Sequence, residues 1–199
     1  MGTPTRFPGG IGTAFPTTTL ANFGEPDPSK WVTFFDDLIA PAAALGTFTA
    51  IAGNGGLVTI ATLNQIATPV ASFLPTASKG LLFKAKFSTT LATGTIIAGV
   101  VDVLSAPTKG ISITLLNGSL TLTNRYAGTT ATATVVYADA QQVTLGFAYI
   151  PGEGITAFFN DVAVTSLPAP TFDATNLRAG IYSSGATATV DYVFTSLER

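Results

Sequence analysis

The side chains able to do chemistry are few, and their types exclude more than they permit. The 199-residue chain contains no Cys and no His. That removes thiol nucleophiles, zinc–thiolate sites, the commonest general base and the commonest transition-metal ligand. Acid–base chemistry would rest on the eleven acidic residues. Glycoside hydrolysis needs two carboxyl groups about 5–10 Å apart across a cleft. Asp36-Asp37 is the one adjacent acidic pair, and neighbouring strand positions point to opposite faces, so the two cannot easily flank one bond. It reads better as charge on an edge strand that blocks unwanted pairing. The other acids fall one or two per hairpin, and no Glu-x-Asp-x-x-Glu strand occurs. Glu153 in a turn and Glu198 at the terminus are poor places to hold a raised pKa. Asp102, near the end of an apolar run, is either a cation ligand or, the favoured reading, a satisfied strand-end acid. Tyr126, Tyr137 and Tyr149 beside polar loops could stack on a sugar, but in a β-protein such rings more often fill the core. The expectation is a protein that binds and does not catalyse. It should hold no transition metal and no organic cofactor, with weak calcium binding through acidic loops left open.

Charge and hydropathy narrow the setting. Nine basic against eleven acidic residues give a net of −2, unlike a nucleic-acid footprint. Charged residues are 10% of the chain, against roughly 25% in a typical soluble protein. Hydrophobic residues reach 47%, yet no apolar run approaches the ~18 residues of a membrane helix. The start MGTPTRFPGG has no apolar signal core, and Arg6 stands where N-myristoylation needs Ser or Thr. These features predict a protein made in the cytoplasm, with no nucleic acid and no membrane as partner. So little surface charge also predicts a homo-oligomer, a dimer first and a trimer next.

The elements that must position these side chains are strands. Val143–Ile150, Ile155–Phe159 and Val162–Leu167 are apolar runs broken by Pro151-Gly152-Glu153-Gly154 and Asn160-Asp161. Period-2 alternation and turn residues predict a three-stranded antiparallel meander. In Leu81–Phe87, Lys84 and Lys86 share one face while Phe83, Ala85 and Phe87 share the other. Thr95–Val103 reads as a central strand covered on both sides. Asn117-Gly118 supplies the two positive-φ positions of a tight hairpin between Ile111–Leu116 and Ser119–Tyr126. Gly53-Asn54-Gly55-Gly56 predicts another between Phe48–Ala52 and Leu57–Leu63, and Ile66–Phe73 is a weaker strand interrupted by Pro69. Thr129–Ala138 leads into the meander. Leu177–Tyr182 and Thr187–Leu197 predict a last hairpin through Ser183-Ser184-Gly185, with Val190, Tyr192 and Phe194 on one face. About a dozen strands without a helix longer than a turn predict an all-β domain of two packed sheets over residues 31–199.

Residues 1–30 differ. Pro4, Pro8, Pro16, Pro26 and Pro28 alternate with glycines, which disfavours regular structure. Phe7, Ile11, Phe15, Leu20 and Phe23 are spaced apolar anchors that a plain linker would not carry. This segment is either a tail folded back on its own domain or, the favoured reading, an arm laid across a neighbouring subunit.

Two resemblances bear on this. Leu145–Tyr149, Ile155–Asn160, Val162–Val164, Leu177–Tyr182 and Ala188–Val193 resemble the C-terminal half of concanavalin A-like jelly rolls, over roughly residues 81–197. That superfamily includes lectins, glycosidases and structural modules. Pro4–Gly10, Pro26–Trp31 and Phe34–Asp37 resemble the opening of structural proteins of tailed bacteriophages. Those carry a Pro-rich arm before a β-sandwich and sit outside the capsid as cement or decoration subunits. The resemblances imply a jelly-roll β-sandwich behind an extended arm, on the outer capsid surface of a virion, with the major capsid protein as partner. Arg6, Phe7, Phe15 and Phe23 would then be the arm residues that meet the shell. A carbohydrate-binding, lectin-like module is the alternative.

Overall fold

The structure, a computed structural model, describes residues 31–36, 49–50, 58–61, 63–68, 73–90 and 94–198, the backbone alone for 31–36, 49–50 and 58. The arm with Arg6, Phe7, Phe15 and Phe23 lies outside these residues, as do Asp37 and the turn at 53–56. Among the described residues there is no helix. The strands are β1 (Trp31–Asp36), β2 (Thr49–Ala50), β3 (Val58–Ile60), β4 (Gln65–Ala67), β5 (Leu81–Thr89), β6 (Thr95–Val101), β7 (Gly110–Leu116) and β8 (Ser119–Asn124), followed by β9 (Thr129–Thr134), β10 (Val143–Ile150), β11 (Gly154–Phe159), β12 (Val162–Leu167), β13 (Arg178–Ser184) and β14 (Ala188–Glu198). They form two antiparallel sheets, the packed pair that the alternation predicts, in the jelly-roll arrangement that the resemblance implies.

The eight-stranded sheet runs β12-β11-β10-β5-β14-β3-β2, and the six-stranded sheet β4-β13-β6-β7-β8-β9. β14 is long enough to hold two partners end to end on one side: β3 along Ala188–Val190 and β1 along Val193–Glu198. Between the sheets, inward residues of both close the core, among them Phe83, Phe87, Phe147, Ile96, Ile113 and Leu122, each 0% exposed. Phe83 and Phe147, opposite each other on β5 and β10, stack at 5.7 Å and 21°. Such alternate burial is what gives each sheet one apolar face.

The meander forms as its turns predict. Glu153 N–H closes on Ile150 O at 3.0 Å, and Asn160 and Asp161 take φ of 49° and 65°. Asn117 and Gly118 take φ of 51° and 71° between β7 and β8. β2 and β3 pair as a hairpin would, and the described residues of Ile66–Phe73 include the end of β4 and a bridge from Phe73 to Leu177. β6 is central, between β13 and β7.

Two expectations need correction. Leu177–Tyr182 and Thr187–Leu197 are not a hairpin: β13 belongs to the six-stranded sheet and β14 to the eight-stranded one. Each finds a full-length partner elsewhere, β13 along β6 and β14 along β5. The short link between them crosses from sheet to sheet, pinned by the buried Ser183 Oγ, which donates to Ala186 O at 2.7 Å. Nor do Val190, Tyr192 and Phe194 share a face. The register of β14 on β5 slips between Val190 and Tyr192, so that Asp191 is an extra residue. Val190 joins the core, whereas Tyr192 and Phe194 lie opposite Lys86 and Lys84 on the outward side. This is what a β-bulge does.

Candidate functional site

The outward face of the eight-stranded sheet gathers the charge. Lys84 and Lys86 share it, as alternation along β5 requires. Lys84 Nζ lies 2.6 Å from Asp161 Oδ1, and Lys86 Nζ lies 2.7 Å from Asp191 Oδ2. Opposite Lys84 on β10 is Gly146, and opposite Gly146 on β11 is Phe158, two residues before the β11–β12 turn. That turn is held in place by Asn160, which donates from its N–H to Thr144 O at 2.8 Å and accepts from Thr144 N–H on Oδ1 at 2.9 Å. Asp191 reaches Lys86 because the bulge re-aims it. Tyr192, opposite Lys86 on the same face, feels both acids. Burial first, then the negative charges of Asp161 and Asp191, push its hydroxyl up to about 12, with a hydrogen bond to Thr144 working the other way.

A second cluster sits at one end of the sandwich. Asp102 follows β6 and accepts on Oδ1 from the N–H groups of Val103 (2.8 Å), Thr108 (3.0 Å) and Lys109 (3.0 Å), and on Oδ2 from the Thr108 hydroxyl. Burial raises its pKa, but these hydrogen bonds, that of the Thr108 side chain foremost, outweigh it and hold the carboxyl below its usual value. Asp102 is the strand-end acid expected, clasping the loop before β7. Lys109 Nζ then pairs with Asp173 at 2.7 Å and lies 5.8 Å from the centre of the Tyr126 ring. Tyr126 meets Phe172 edge-on at 5.2 Å, and Phe172 meets Tyr149 at 5.0 Å. The Tyr126 hydroxyl is buried and, among the described residues, has no hydrogen-bond partner, and burial, then Asp173 and Asp102, raise its pKa strongly.

This geometry sorts the aromatic candidates. Tyr149 is 1% exposed and its hydroxyl donates to Ala77 O at 2.7 Å, so it is core, not a stacking platform. Tyr137 is partly buried against Phe159, at 6.3 Å. Tyr126 combines partial exposure with a cation over its ring. Sequence reading missed the ion pairs, because Lys84 and Asp161 become neighbours only through the order of strands.

The described carboxylates mostly hold the fold. Asp102 clasps a loop, Asp161, Asp173 and Asp191 face ammonium groups, and Glu198 accepts from Gly80 N–H at 2.9 Å. Among the described residues, no three acids cluster to hold a metal ion.

No family model matches the chain, and no curated protein matches it either. Solved structures do. The carbohydrate recognition domain of Emp47p superposes with a TM-score of 0.63 at 12% identity, covering 85% of this chain and 97% of that one. An endo-1,3-β-glucanase from Streptomyces sioyaensis gives 0.56 at 14% identity, over 86% and 98%. A prokaryotic β-1,3-1,4-glucanase (lichenase) from a mouse hindgut metagenome gives 0.55 at 13%, over 82% and 98%. At such identities the likeness carries fold and not function. The domain has a jelly-roll β-sandwich fold like that of these carbohydrate recognition and glucanase domains.

Proposed function

We propose that this chain is a non-enzymatic virion protein: a cement or decoration subunit that binds the outside of a tailed-phage shell and stabilises it. The observation that carries the non-catalytic half is the engagement of the carboxylates. Asp161 and Asp191, the two acids on the charged sheet face, are each closed on a lysine, so neither stands as a free acid beside a free base across a cleft. The phage half rests on the resemblance of residues 4–37. The partner is the major capsid protein, and the contact includes Arg6, Phe7, Phe15 and Phe23. The subunit acts as a homo-oligomer, a dimer before a trimer. Co-sedimentation of the full chain with DNA-free phage shells tests this. Saturable binding and a raised temperature of shell rupture are expected, and no binding to any shell would overturn it.

A second reading has one observation in its favour. Tyr126, with Lys109 and Asp173 beside it and a hydroxyl unpartnered among the described residues, has the aromatic-plus-polar make-up of a sugar subsite. In that reading the protein is a lectin-like module. Glycan-array binding that Tyr126→Ala abolishes would favour it over the shell.

A further inference from the structure

The described edges of the two sheets are not alike. β4 is three residues long, with Ile66 and Ala67 buried. At β12 the register to β11 shifts between Ala157 and Phe158, an irregularity that disturbs an edge. β9, the other edge of the six-stranded sheet, has neither device. Its register to β8 is unbroken over the six residues Thr129–Thr134, which include no charge and no proline. Thr130, Thr132 and Thr134 are exposed. Just past the strand, Val135 N–H donates across to Gly118 O at 2.8 Å, so the odd residues turn their backbone groups toward β8. The N–H and C=O of Thr130, Thr132 and Thr134 therefore point away from the sheet. Such a row is a template for another strand.

The residues of this edge select the strand that fits it. Thr130-Ala131-Thr132-Ala133-Thr134 reads the same in both directions. An antiparallel copy centred on Thr132 sets Thr132 opposite itself, Thr130 opposite Thr134 and Ala131 opposite Ala133. All three threonines then meet in hydrogen-bonded pairs that exchange their outward N–H and C=O groups. On the outer face Thr lies beside Thr, continuing the rows that Thr121 and Thr123 of β8 form with Thr132 and Thr130. On the inner face alanine methyls meet, small enough for the closer spacing of a non-hydrogen-bonded pair. The same register carries Val136, 87% exposed, to Gly128 of the second copy, where a Cβ would find nothing within 4 Å. The nearest charges along the chain, Arg125 and Asp139, are of opposite sign and each stands seven residues from Thr132. The two-fold brings each to the end of the interface where the other stands, so like charges are kept apart.

We propose that β9 pairs antiparallel with β9 of a second copy of this chain about a two-fold axis at Thr132, joining their six-stranded sheets into one. This names the interface of the homo-oligomer proposed above. It rests on that reading and not on the shell, and its test contains no shell.

Sedimentation of the full chain and of Thr132→Lys across the micromolar range tests it. An exposed edge position tolerates lysine, and circular dichroism confirms the fold. Two ammonium groups set opposite each other should weaken the dimer at least about tenfold. Thr132→Glu should be weakened likewise, and mixing it with Thr132→Lys should restore the dimer, because the mixed pair puts opposite charges at the axis. The absence of native cysteine allows a second measurement. Thr132→Cys should form a covalent dimer on mild oxidation, since a hydrogen-bonded pair has a Cα separation of about 5.5 Å. Thr121→Cys, one strand further in on each copy, should not. Dimers of Thr132→Lys as tight as those of the unaltered chain would overturn the β9 interface and leave the homo-oligomer reading standing. An unaltered chain that stays monomeric across the range would overturn both.

Discussion

Lys86 closes on Asp191 at 2.7 Å, and Asp191 is the one residue that the β-bulge adds to β14. The ion pair thus marks the point where the strand changes phase. Before it, Ala188 and Val190 face the core; after it, Val193 and Leu197 do. Tyr192 and Phe194 are sent outward as a consequence.

Removing Asp191 should therefore be tolerated. With the bulge deleted, Val190, Tyr192 and Val193 alternate as in a regular strand and every later side chain keeps its face. Deleting Lys84 from the unbulged β5 instead turns either Leu81 and Phe83 or Ala85 and Phe87 outward. The first deletion should cost about 2 kcal/mol or less, since the lost ion pair is partly exposed and the ladder is made regular. The second should prevent folding. Thermal melts of both purified variants decide it; unfolded protein from the Asp191 deletion would disprove the assigned phase change.

Gly110→Ala should be among the costliest small substitutions. Gly110 has φ +106°, and a Cβ there would stand 2.2 Å from Val100 O. The strain is about 1–3 kcal/mol, and the clash adds to it by displacing β7 from β6. A fall in melting temperature of roughly 5–10 °C is expected for a domain of this size. Gly152→Ala, at φ +83° but with open space around it, should cost clearly less. Equal losses would show that the close approach to Val100 is absent.

Asp102 predicts a pH dependence. Its carboxyl is held below the ordinary 3.8 in the folded chain. A depressed carboxylate contributes stability that is present above the unfolded value and is lost as pH falls through the folded one. The gap in melting temperature between wild type and Asp102→Asn should be full at about pH 6 and shrink below about pH 3.8. A gap that stays constant down to about pH 2.5 would mean that the loop clasp does not need the charge.

How much of this could be read from residues alone depended on whether the signal was local. Faces were legible: Lys84 and Lys86 opposite Phe83, Ala85 and Phe87 follow from period 2. The β7–β8 turn was legible because Asn117-Gly118 tolerates the φ values it takes. Partnership was not. Nothing between Tyr182 and Thr187 says that the chain changes sheet, since Ser-Ser-Gly serves a hairpin and a crossover equally. The bulge was hidden for a related reason: an extra residue shows only against the strand beside it, and Val190 looked in phase with Tyr192. Lys84 and Asp161 meet only because β5, β10 and β11 are neighbours in space. The outward burial of Leu82 had a trace in the unbroken run Leu81-Leu82-Phe83, which period 2 alone leaves unexplained.

Tyr192 predicts the opposite dependence in alkali. Its hydroxyl, buried and beside Asp161 and Asp191, is pushed from 10.0 up to about 12. A raised acid contributes stability that is complete below the unfolded value and disappears as pH climbs through the folded one. The protein should thus lose stability between about pH 10 and pH 12, in part because the folded state resists forming a phenolate near two carboxylates. Tyr192→Phe cannot form that phenolate. It should be less stable than wild type at about pH 8, where it lacks the hydrogen bond to Thr144, and the difference should narrow steadily above about pH 10. Tyr126, also raised by burial, adds a parallel loss in both proteins and leaves their difference unaffected, provided the two rings do not interact. Urea midpoints at stepped alkaline pH measure this. A gap that holds its size to about pH 11.5 would show that Tyr192 titrates as if in water, and with it the acid-flanked packing of this sheet face would fall.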